Sequence, residues 1–303
     1  MWTLPTVSDD DLHLVERDIL TAFRARSTHG LKILGMGELG LAVGWPSNEP
    51  VAVFKRQAPG TSGEVAADLD RMRRFHDALI RAGIAVVPTD IRVITNEYGA
   101  SVPYLIQPII EPGNLTENLL AARQPDSADE ILVAIRDAVT TVVRDGSNGG
   151  LSIDAQVTNF AWDRDKVVLL DTTPPLIWDP GSGPMYDVGN YLTAVPSILR
   201  PTAMTLTKRT AADYRNVRGV LKQTVVYLLR IDQERWVQPA IECFNDVLDV
   251  PLVRDEVEES FKRVLRDIPM IKRLSRMQRF WATRVRKENY EFFITNSFTG
   301  EIY

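Results

Sequence analysis

The chain changes character near residue 110, and this change limits the folds that it can adopt. Before that point, apolar residues and turn signals predict a helix, three strands, a second helix and two more strands. Pro108 and Glu111-Pro112-Gly113 then break the pattern. Beyond them the periodicity is mainly helical, with two short strands around Thr158–Trp162 and Lys166–Asp171. We therefore predict an α+β protein whose first part is rich in antiparallel strands and whose larger second part is mostly helical.

The predicted elements of the first part have clear boundaries. Ser8 or Asp9 can cap a helix in which apolar residues recur at helical spacing: Leu12, Val15, Ile19, Leu20 and Phe23. A second helix opens at Ser62 and runs to about Ala82. The predicted strands are Leu31–Met36, Leu39–Trp45, Val51–Lys55, Ile91–Thr95 and Val102–Ile106.

A chain of 303 residues is long enough for two lobes with separate cores. The sequence predicts an N-terminal helical extension over residues 1–30, an N-lobe over 31–110 and a helical C-lobe over 111–303. After about Tyr186 we expect helices interrupted at five prolines: Pro196, Pro201, Pro239, Pro251 and Pro269. The last helix interleaves arginines with aromatics from Met277 to Phe293, which favours an amphipathic helix packed on the C-lobe. The alternative is a surface that stacks and pairs its charges with an anionic or planar acceptor.

Composition excludes several classes of protein. The net charge of −5 provides no basic surface for nucleic acid, and no apolar run approaches the ~20 residues that span a bilayer. Met1-Trp2-Thr3-Leu4-Pro5 does not look like a secretory signal. The single cysteine, Cys243, lies on an apolar stripe and predicts a buried, inert thiol, and three histidines without ligand spacing argue against zinc. We expect a cytoplasmic protein with neither a membrane nor a nucleic-acid partner, and the oligomeric state is open.

Gly35, Gly37 and Gly40 form a complete G-x-G-x-x-G motif. In a dinucleotide-binding fold this motif ends a strand and opens a helix, but here a second strand, Leu39–Trp45, follows at once. A glycine-rich turn between antiparallel strands is typical of the flap that covers nucleotide phosphates in kinases. An ordinary hairpin is the alternative.

Lys55 ends the strand Val51-Ala52-Val53-Phe54-Lys55, fifteen residues after the glycine motif. The strand is similar to V-A-I-K, whose lysine contacts the nucleotide phosphates. Such a lysine needs an acidic partner on the next helix. Glu64 has the usual residue type and ranks slightly first, while Asp68 and Asp70 are better spaced. All three stay open, because an acidic residue in a first turn also suits the helix dipole.

The segment Tyr104–Ile110 predicts a strand that runs into a hinge. Backbone groups at Gln107 and Ile109 could hydrogen-bond an adenine edge between apolar walls at Ile106 and Ile110. A plain buried strand explains the same residues equally well.

Asp154, Asn159 and Asp171 have the spacing of a phosphoryl-transfer site. Asp154 would accept or orient the proton of an attacking hydroxyl, while Asn159 and Asp171 would hold Mg²⁺, which prefers oxygen ligands. Each of the three could instead be a capping or turn residue, but their order after the glycine motif and Lys55 favours the catalytic interpretation.

These motifs together resemble the protein-kinase-like superfamily, and most closely its branch of aminoglycoside phosphotransferases and choline-kinase-like enzymes. Met185-Tyr186-Asp187-Val188-Gly189 resembles the Y-D-[LIV]-[AG] segment of that branch. The resemblance implies a bilobal fold, ATP and Mg²⁺ as cofactors, and a small-molecule acceptor whose pocket the C-terminal helices shape. Asp179 and Asp187 would suit a cationic acceptor.

The sequence departs from that family at two positions. Ser152 stands where the family carries the histidine of H-x-D, and Asp171-Thr172-Thr173 lacks the glycine of D-F-G. The function expected is therefore transfer of the γ-phosphate of ATP to a hydroxyl of an aminoglycoside, nucleoside, sugar or amino alcohol by a divergent member. The alternatives are a kinase-fold nucleotidyltransferase and a nucleotide-binding pseudokinase with a protein partner.

Overall fold

A computed structural model describes residues 2–28, 30–36, 40–145, 150–178, 212–287 and 290–291. The chain divides into two compact units that are not continuous in sequence. Unit 1 comprises Met1–Asp70, Val87–Ile109 and Met270–Tyr303, and unit 2 comprises Arg71–Val86 and Ile110–Pro269. Several sequence-based assignments lie outside the described residues: Gly37, Asp179, the segment 185–189, Pro196 and Pro201.

Unit 1 begins with helix α1, Asp9–Ala25, which has a complete capping box. Ser8 Oγ accepts a hydrogen bond from Asp11 N at 3.1 Å, and Asp11 Oδ2 accepts one from Ser8 N at 2.9 Å. This exchange satisfies backbone donors that a helix start otherwise leaves unpaired. The apolar stripe predicted from Leu12 to Phe23 is buried, which confirms the sequence-based helix and its Ser8 cap.

The sheet of unit 1 has five antiparallel strands in the order β1-β2-β3-β5-β4. The strands are β1 Lys32–Met36, β2 Gly40–Trp45, β3 Ala52–Gln57, β4 Asp90–Thr95 and β5 Ser101–Pro108, and helix α2, Ser62–Arg81, connects β3 to β4. All five predicted strands and the second helix are therefore confirmed. Side chains alternate between the two faces of a strand, and one face of this sheet shares a core with α1.

Unit 2 is mainly helical around one large apolar core. Its helices are α3 Thr116–Ala122, α4 Glu130–Thr140, α5 Val217–Arg230, α6 Val237–Asn245 and the part of α7, Arg254–Phe280, that precedes Met270. The hairpin β6 Phe160–Asp163 and β7 Lys166–Leu169 is its two-stranded sheet among the described residues. Cys243 is buried in this core, as predicted, and burial raises the pKa of its thiol to about 11.

Two predicted helix interruptions are wrong. Pro239 lies in the first turn of α6, where a backbone N–H would have no partner within the helix and a proline costs little. Pro269 lies inside α7, which continues to Phe280. The division between the units falls at this proline.

The segment after Pro269 belongs to a different unit from the one expected from the sequence. Residues from Met270 onward group with the sheet of unit 1, whereas the sequence-based division assigns 111–303 to the helical lobe. The physical reason is a polar contact: Glu291 accepts hydrogen bonds from Arg56 and Asn96 of the sheet. The amphipathic helix also ends earlier than predicted, because a π-helical turn follows α7 over Trp281–Arg286. In the described part of the chain, no helix combines the length and the apolar character that crossing a bilayer requires.

Candidate functional site

Asp154 and Asp171 lie on neighbouring stretches of unit 2 that backbone hydrogen bonds tie together. Ser152 N donates to Leu176 O at 2.9 Å, and Trp178 N donates to Gly150 O at 2.7 Å. A β-bridge between Leu151 and Ile177 completes this pairing. The segment that leads into Asp154 is thus fixed beside the segment that follows Asp171.

Asn159 joins these two stretches directly. Its side-chain Nδ2 donates to the backbone oxygen of Asp154 at 3.0 Å, and its own backbone oxygen accepts from Leu170 N at 2.8 Å. The residue lies in a 3₁₀ turn, Val157–Asn159, and not in a strand as predicted, because β6 begins one residue later at Phe160. Thr116 Oγ1 donates to Val157 O and holds this turn from α3.

The carboxyl of Asp154 accepts hydrogen bonds from two side chains. Tyr214 donates its hydroxyl to Oδ1 at 2.9 Å, and Gln156 donates Nε2 to Oδ2 at 2.8 Å. Loss of hydration, with a smaller contribution from the charge of Asp171, raises the pKa of Asp154 to about 6, although the hydrogen bonds to its carboxyl lower it. A carboxyl with a pKa near neutrality can both take up and release a proton at physiological pH.

The Asp171 carboxylate has a defined orientation. Its Oδ1 accepts hydrogen bonds from Thr173 Oγ1 at 2.8 Å and from Thr173 N at 3.1 Å. This local turn holds the side chain at the end of β7. The hydrogen bonds of Asn159 to Asp154 and to Leu170, which precedes Asp171, bring Asp154, Asn159 and Asp171 close together in unit 2.

The donor set of this site suits a hard divalent cation. Asn159 uses Nδ2 for the backbone of Asp154, so the polar atom that its amide presents to a cation is Oδ1. Together with a carboxylate oxygen of Asp171 this makes two oxygen ligands, the number that Mg²⁺ takes from a protein when phosphates and water complete its shell. Within the described ranges, no group of three or more His, Cys, Asp or Glu residues could hold a metal ion. The residues present therefore fit magnesium bound together with phosphate and do not form a closed protein cage.

Tyr214 is a site residue that the sequence reasoning missed. It lies in the turn before α5, and its neighbour Asp213 is held by that helix: Gln223 Nε2 donates to Asp213 Oδ2 at 2.7 Å, and Lys222 Nζ lies 3.5 Å from Oδ1. Asn216 caps α5 by accepting from Gly219 N at 2.7 Å. The signal in the sequence was the Asp-Tyr-Arg-Asn-Val run before a helix, which predicts a cap but not a contact sixty residues away.

Ser152 occupies the position at which the resemblance expects histidine. It is fully buried, and among the described residues its hydroxyl has no hydrogen-bond partner. Its backbone N–H, however, contributes to the pairing with Leu176.

The described glycines of the motif lie in the strands β1 and β2 of unit 1. Gly35 in β1 pairs with Ala42, and Gly40, which begins β2, pairs with Gln57. The two strands are antiparallel as predicted, whereas a strand and a helix flank the motif of dinucleotide-binding folds. A Cβ on Gly40 would lie 3.2 Å from Arg56 O, so sheet packing is one reason for glycine there.

Lys55, Leu105 and Gln107 share the sheet face opposite α1. Lys55 pairs with Leu105, and Gln107 pairs with Val53 two residues away on the same face. Gln107 donates Nε2 to Thr89 Oγ1 at 3.1 Å, while Ile109 is half-buried just beyond the end of β5. Ile106 does not form the predicted wall of a nucleotide site, because it belongs to the core on the α1 side.

Glu64 caps its own helix. Its Oε2 accepts from Thr61 Oγ1 at 2.7 Å and from Thr61 N at 2.9 Å, and these hydrogen bonds lower the pKa of the exposed carboxyl. This is the helix-start role that an acidic first-turn residue often has. Which of Glu64, Asp68 and Asp70 serves Lys55 stays a prediction.

Arg56, next to Lys55 on β3, lies at the centre of a buried cluster that the sequence reasoning also missed. Its Nε and Nη2 donate to the two oxygens of Glu16 at 2.7 and 2.8 Å, and Nη2 also donates to Glu291. Tyr104 donates its hydroxyl to Glu16, and Asn96 donates to both carboxylates at 3.3–3.4 Å. The cluster therefore joins α1, the sheet and the C-terminal segment within unit 1.

No curated protein is similar to the chain at a significant level. Residues 50–181, from the Lys55 strand through Asp154, Asn159 and Asp171, are similar to a family described as a family of unknown function (DUF6206).

Proposed function

We propose that this protein is an ATP-dependent phosphotransferase with a kinase-like bilobal fold that acts on a hydroxyl of a small molecule. The observation that carries the proposal is the double connection made by Asn159. One side-chain and one backbone hydrogen bond of this residue tie the Asp154 stretch to the end of β7, which bears Asp171. An isolated turn or cap residue would not need to link the stretches of two acidic residues, of which Asp171 raises the pKa of Asp154.

Asp154 is the proposed proton acceptor. Its pKa of about 6 leaves it mainly ionised at neutral pH and still able to take a proton from an attacking hydroxyl. Gln156 and Tyr214 each donate to one of its oxygens, so the carboxylate is held in a single orientation. Since phosphoryl transfer has a loose transition state, this orientation matters more than the basicity of the group.

Asn159 and Asp171 are the proposed magnesium ligands. When bound, ATP and magnesium supply the phosphoryl group and neutralise the negative charge on its oxygens. The contribution of the chain is to hold two oxygen ligands, one on the 3₁₀ turn and one at the strand end, in a fixed relation. In unit 1, Gly35, Gly37, Gly40 and Lys55 are proposed to contact the nucleotide phosphates, and Gln107 and Ile109 its base.

The first test separates binding from transfer. Asp154→Asn should retain a magnesium-dependent thermal shift with ATP but lose ADP release by more than about 100-fold, the scale of a general-base contribution. The assay is coupled ADP detection across a panel of aminoglycosides, nucleosides, sugars and amino alcohols. Asp165→Asn, the same substitution on the exposed turn between β6 and β7, serves as the matched control and should match wild type.

A second variant tests the metal assignment. Asp171→Ala should abolish the magnesium-dependent part of the shift, because it removes the charged ligand and leaves only the amide of Asn159. If wild type itself shows no such shift, the phosphotransferase proposal is wrong. Binding without turnover would favour a pseudokinase, and a nucleotidyl mass on the acceptor would favour nucleotidyl transfer.

A further inference from the structure

We propose that Tyr214 is a site of self-phosphorylation, an inference that rests on the phosphotransferase function proposed above. The carboxylate proposed to receive the proton of an acceptor hydroxyl already receives a hydrogen bond from a hydroxyl of the chain itself. Tyr214 donates to Asp154 Oδ1 at 2.9 Å, which is the distance expected between a general base and the nucleophile that it activates.

Tyr214 is distinguished from the other hydroxyl groups near the site. Among the described residues, the side chains that donate to the Asp154 carboxylate at hydrogen-bond distance are Tyr214 and Gln156, and Tyr214 alone of these is a hydroxyl. Thr173 donates its hydroxyl hydrogen bond to Asp171 Oδ1, and Thr158 donates to the hydroxyl of Tyr227 at 3.0 Å. The phenol of Tyr214 therefore occupies the place of the acceptor.

The position of Tyr214 is fixed through its neighbour Asp213. Asp213 is held by Gln223 and Lys222 of α5, and Lys222 is also 3.7 Å from Glu256 of α7. The turn that carries the phenol is thus attached to two helices of unit 2. A nucleophile held in hydrogen-bond contact with its base needs little further ordering before reaction.

The reaction balances with ATP as the co-reactant. The hydroxyl oxygen of Tyr214 forms a bond to the γ-phosphorus of ATP, and the bond from that phosphorus to the β–γ bridging oxygen breaks. The phenolic proton passes to Asp154 Oδ1, and ADP leaves with the electron pair of the broken bond. Water later takes the proton from Asp154.

Phosphorylated Tyr214 would limit both its own formation and the transfer of phosphate to other acceptors. A phosphate on Tyr214 can no longer donate a proton to Asp154, and it places about two negative charges beside the carboxylates of Asp154 and Asp171. The phosphate charges would oppose ionisation of these two carboxyls and would also repel the negatively charged, metal-bound nucleotide. Phosphorylation of Tyr214 would therefore lower transfer to an external acceptor.

The test is incubation of the full-length, phosphatase-treated protein with ATP and magnesium, followed by peptide mapping with mass spectrometry. We expect one phosphoryl group on Tyr214 of wild type, none there in Asp154→Asn, and none at this position in Tyr214→Phe. Tyr98→Phe, on the exposed turn between β4 and β5, is the matched control and should leave the modification of Tyr214 unchanged. Dilution of the protein should leave the rate constant unchanged, as expected for transfer within one chain.

The outcomes separate this inference from the function on which it rests. If wild type transfers phosphate to a small acceptor while Tyr214 stays unmodified, the inference is wrong and the proposed function stands. Modification of Tyr214 that persists undiminished in Asp154→Asn would also overturn it, because Asp154 would then not be the base. If neither the small acceptor nor Tyr214 becomes phosphorylated, the proposed function is wrong and the inference falls with it. The wild-type and Asp154→Asn maps decide these points even if Tyr214→Phe does not fold.

Discussion

Replacement of Arg56 by methionine should destabilise unit 1 more than any comparable change at its surface. The substitution removes both hydrogen bonds to Glu16, the contact with Glu291 and the guanidinium that lies 5.4 Å above the centre of the Phe23 ring. Glu16 and Glu291 are 3% and 8% exposed, so two carboxylates would remain out of water without a cation. Removal of one partner from a buried ion pair costs about 3–5 kcal/mol, and we expect a loss of that size.

The deficit should depend on pH in a defined direction. Burial alone would raise the pKa of Glu16, but hydrogen bonds and the charge of Arg56, with Tyr104 and Asn96, bring it below its ordinary value of 4.5. A lowered pKa gives wild type a stability that is present above about pH 4.5 and is lost as the pH falls through the folded-state pKa. Without Arg56 the Glu16 carboxyl protonates more readily, so the difference between variant and wild type should shrink in acid.

The assay is urea-induced unfolding of both proteins at about pH 7.5 and about pH 4.5. Arg24→Met is the matched control, because Arg24 forms an exposed pair with Glu97 at 2.8 Å with side chains 52% and 43% exposed. Exposed pairs contribute about 0–1 kcal/mol. The double variant Glu16→Gln with Arg56→Met should recover part of the loss. If Arg56→Met costs no more than Arg24→Met, the cluster does not stabilise unit 1 and the reasoning fails.

Three further predictions concern Asp154 and the start of α2. The rate of phosphoryl transfer should rise with pH through about 6 and level off above it, because Asp154 acts as a base only when ionised; a flat profile between about pH 5 and 8 would contradict this. The same raised pKa means that ionised Asp154 opposes folding at neutral pH. Asp154→Asn should therefore raise the free energy of unfolding, measured in urea, by at most about 3 kcal/mol, and a destabilised variant would contradict this prediction. Thr61→Ala should destabilise the protein by about 1 kcal/mol through loss of the α2 cap, with exposed Thr95→Ala, at the end of β4, as control.

Local patterns were sufficient to predict most elements of the fold. Ser8 before an apolar stripe predicted the first helix and its cap, and turn residues between β-branched runs predicted the five strands of unit 1. These features depend on residues within one turn or one strand of each other. The α+β class followed from them.

Features that depend on distant partners could not be predicted in the same way. Lys55 and Arg56 are consecutive residues of β3, so Lys55 points away from α1 and Arg56 points towards it. The partners of Arg56, Glu16 and Glu291, lie 40 and 235 residues away in the sequence. Tyr214 meets Asp154 across sixty residues. In the candidate site, spacing predicted that Asp154, Asn159 and Asp171 come together, but only the coordinates identify Tyr214 and Gln156 as the groups that orient Asp154.

The contact between Arg56 and Glu291 also has a consequence for the order of events during synthesis. Domains generally fold from the N-terminus as the ribosome releases them, and Glu16, Arg56 and Tyr104 all emerge early. The guanidinium can pair with Glu16 at that stage, but its second carboxylate arrives only after nearly the whole helical unit has been translated. The nascent sheet would therefore wait without the hydrogen bonds that Arg56 and Asn96 donate to Glu291, and the last part of the chain would set the moment at which unit 1 reaches its final stability.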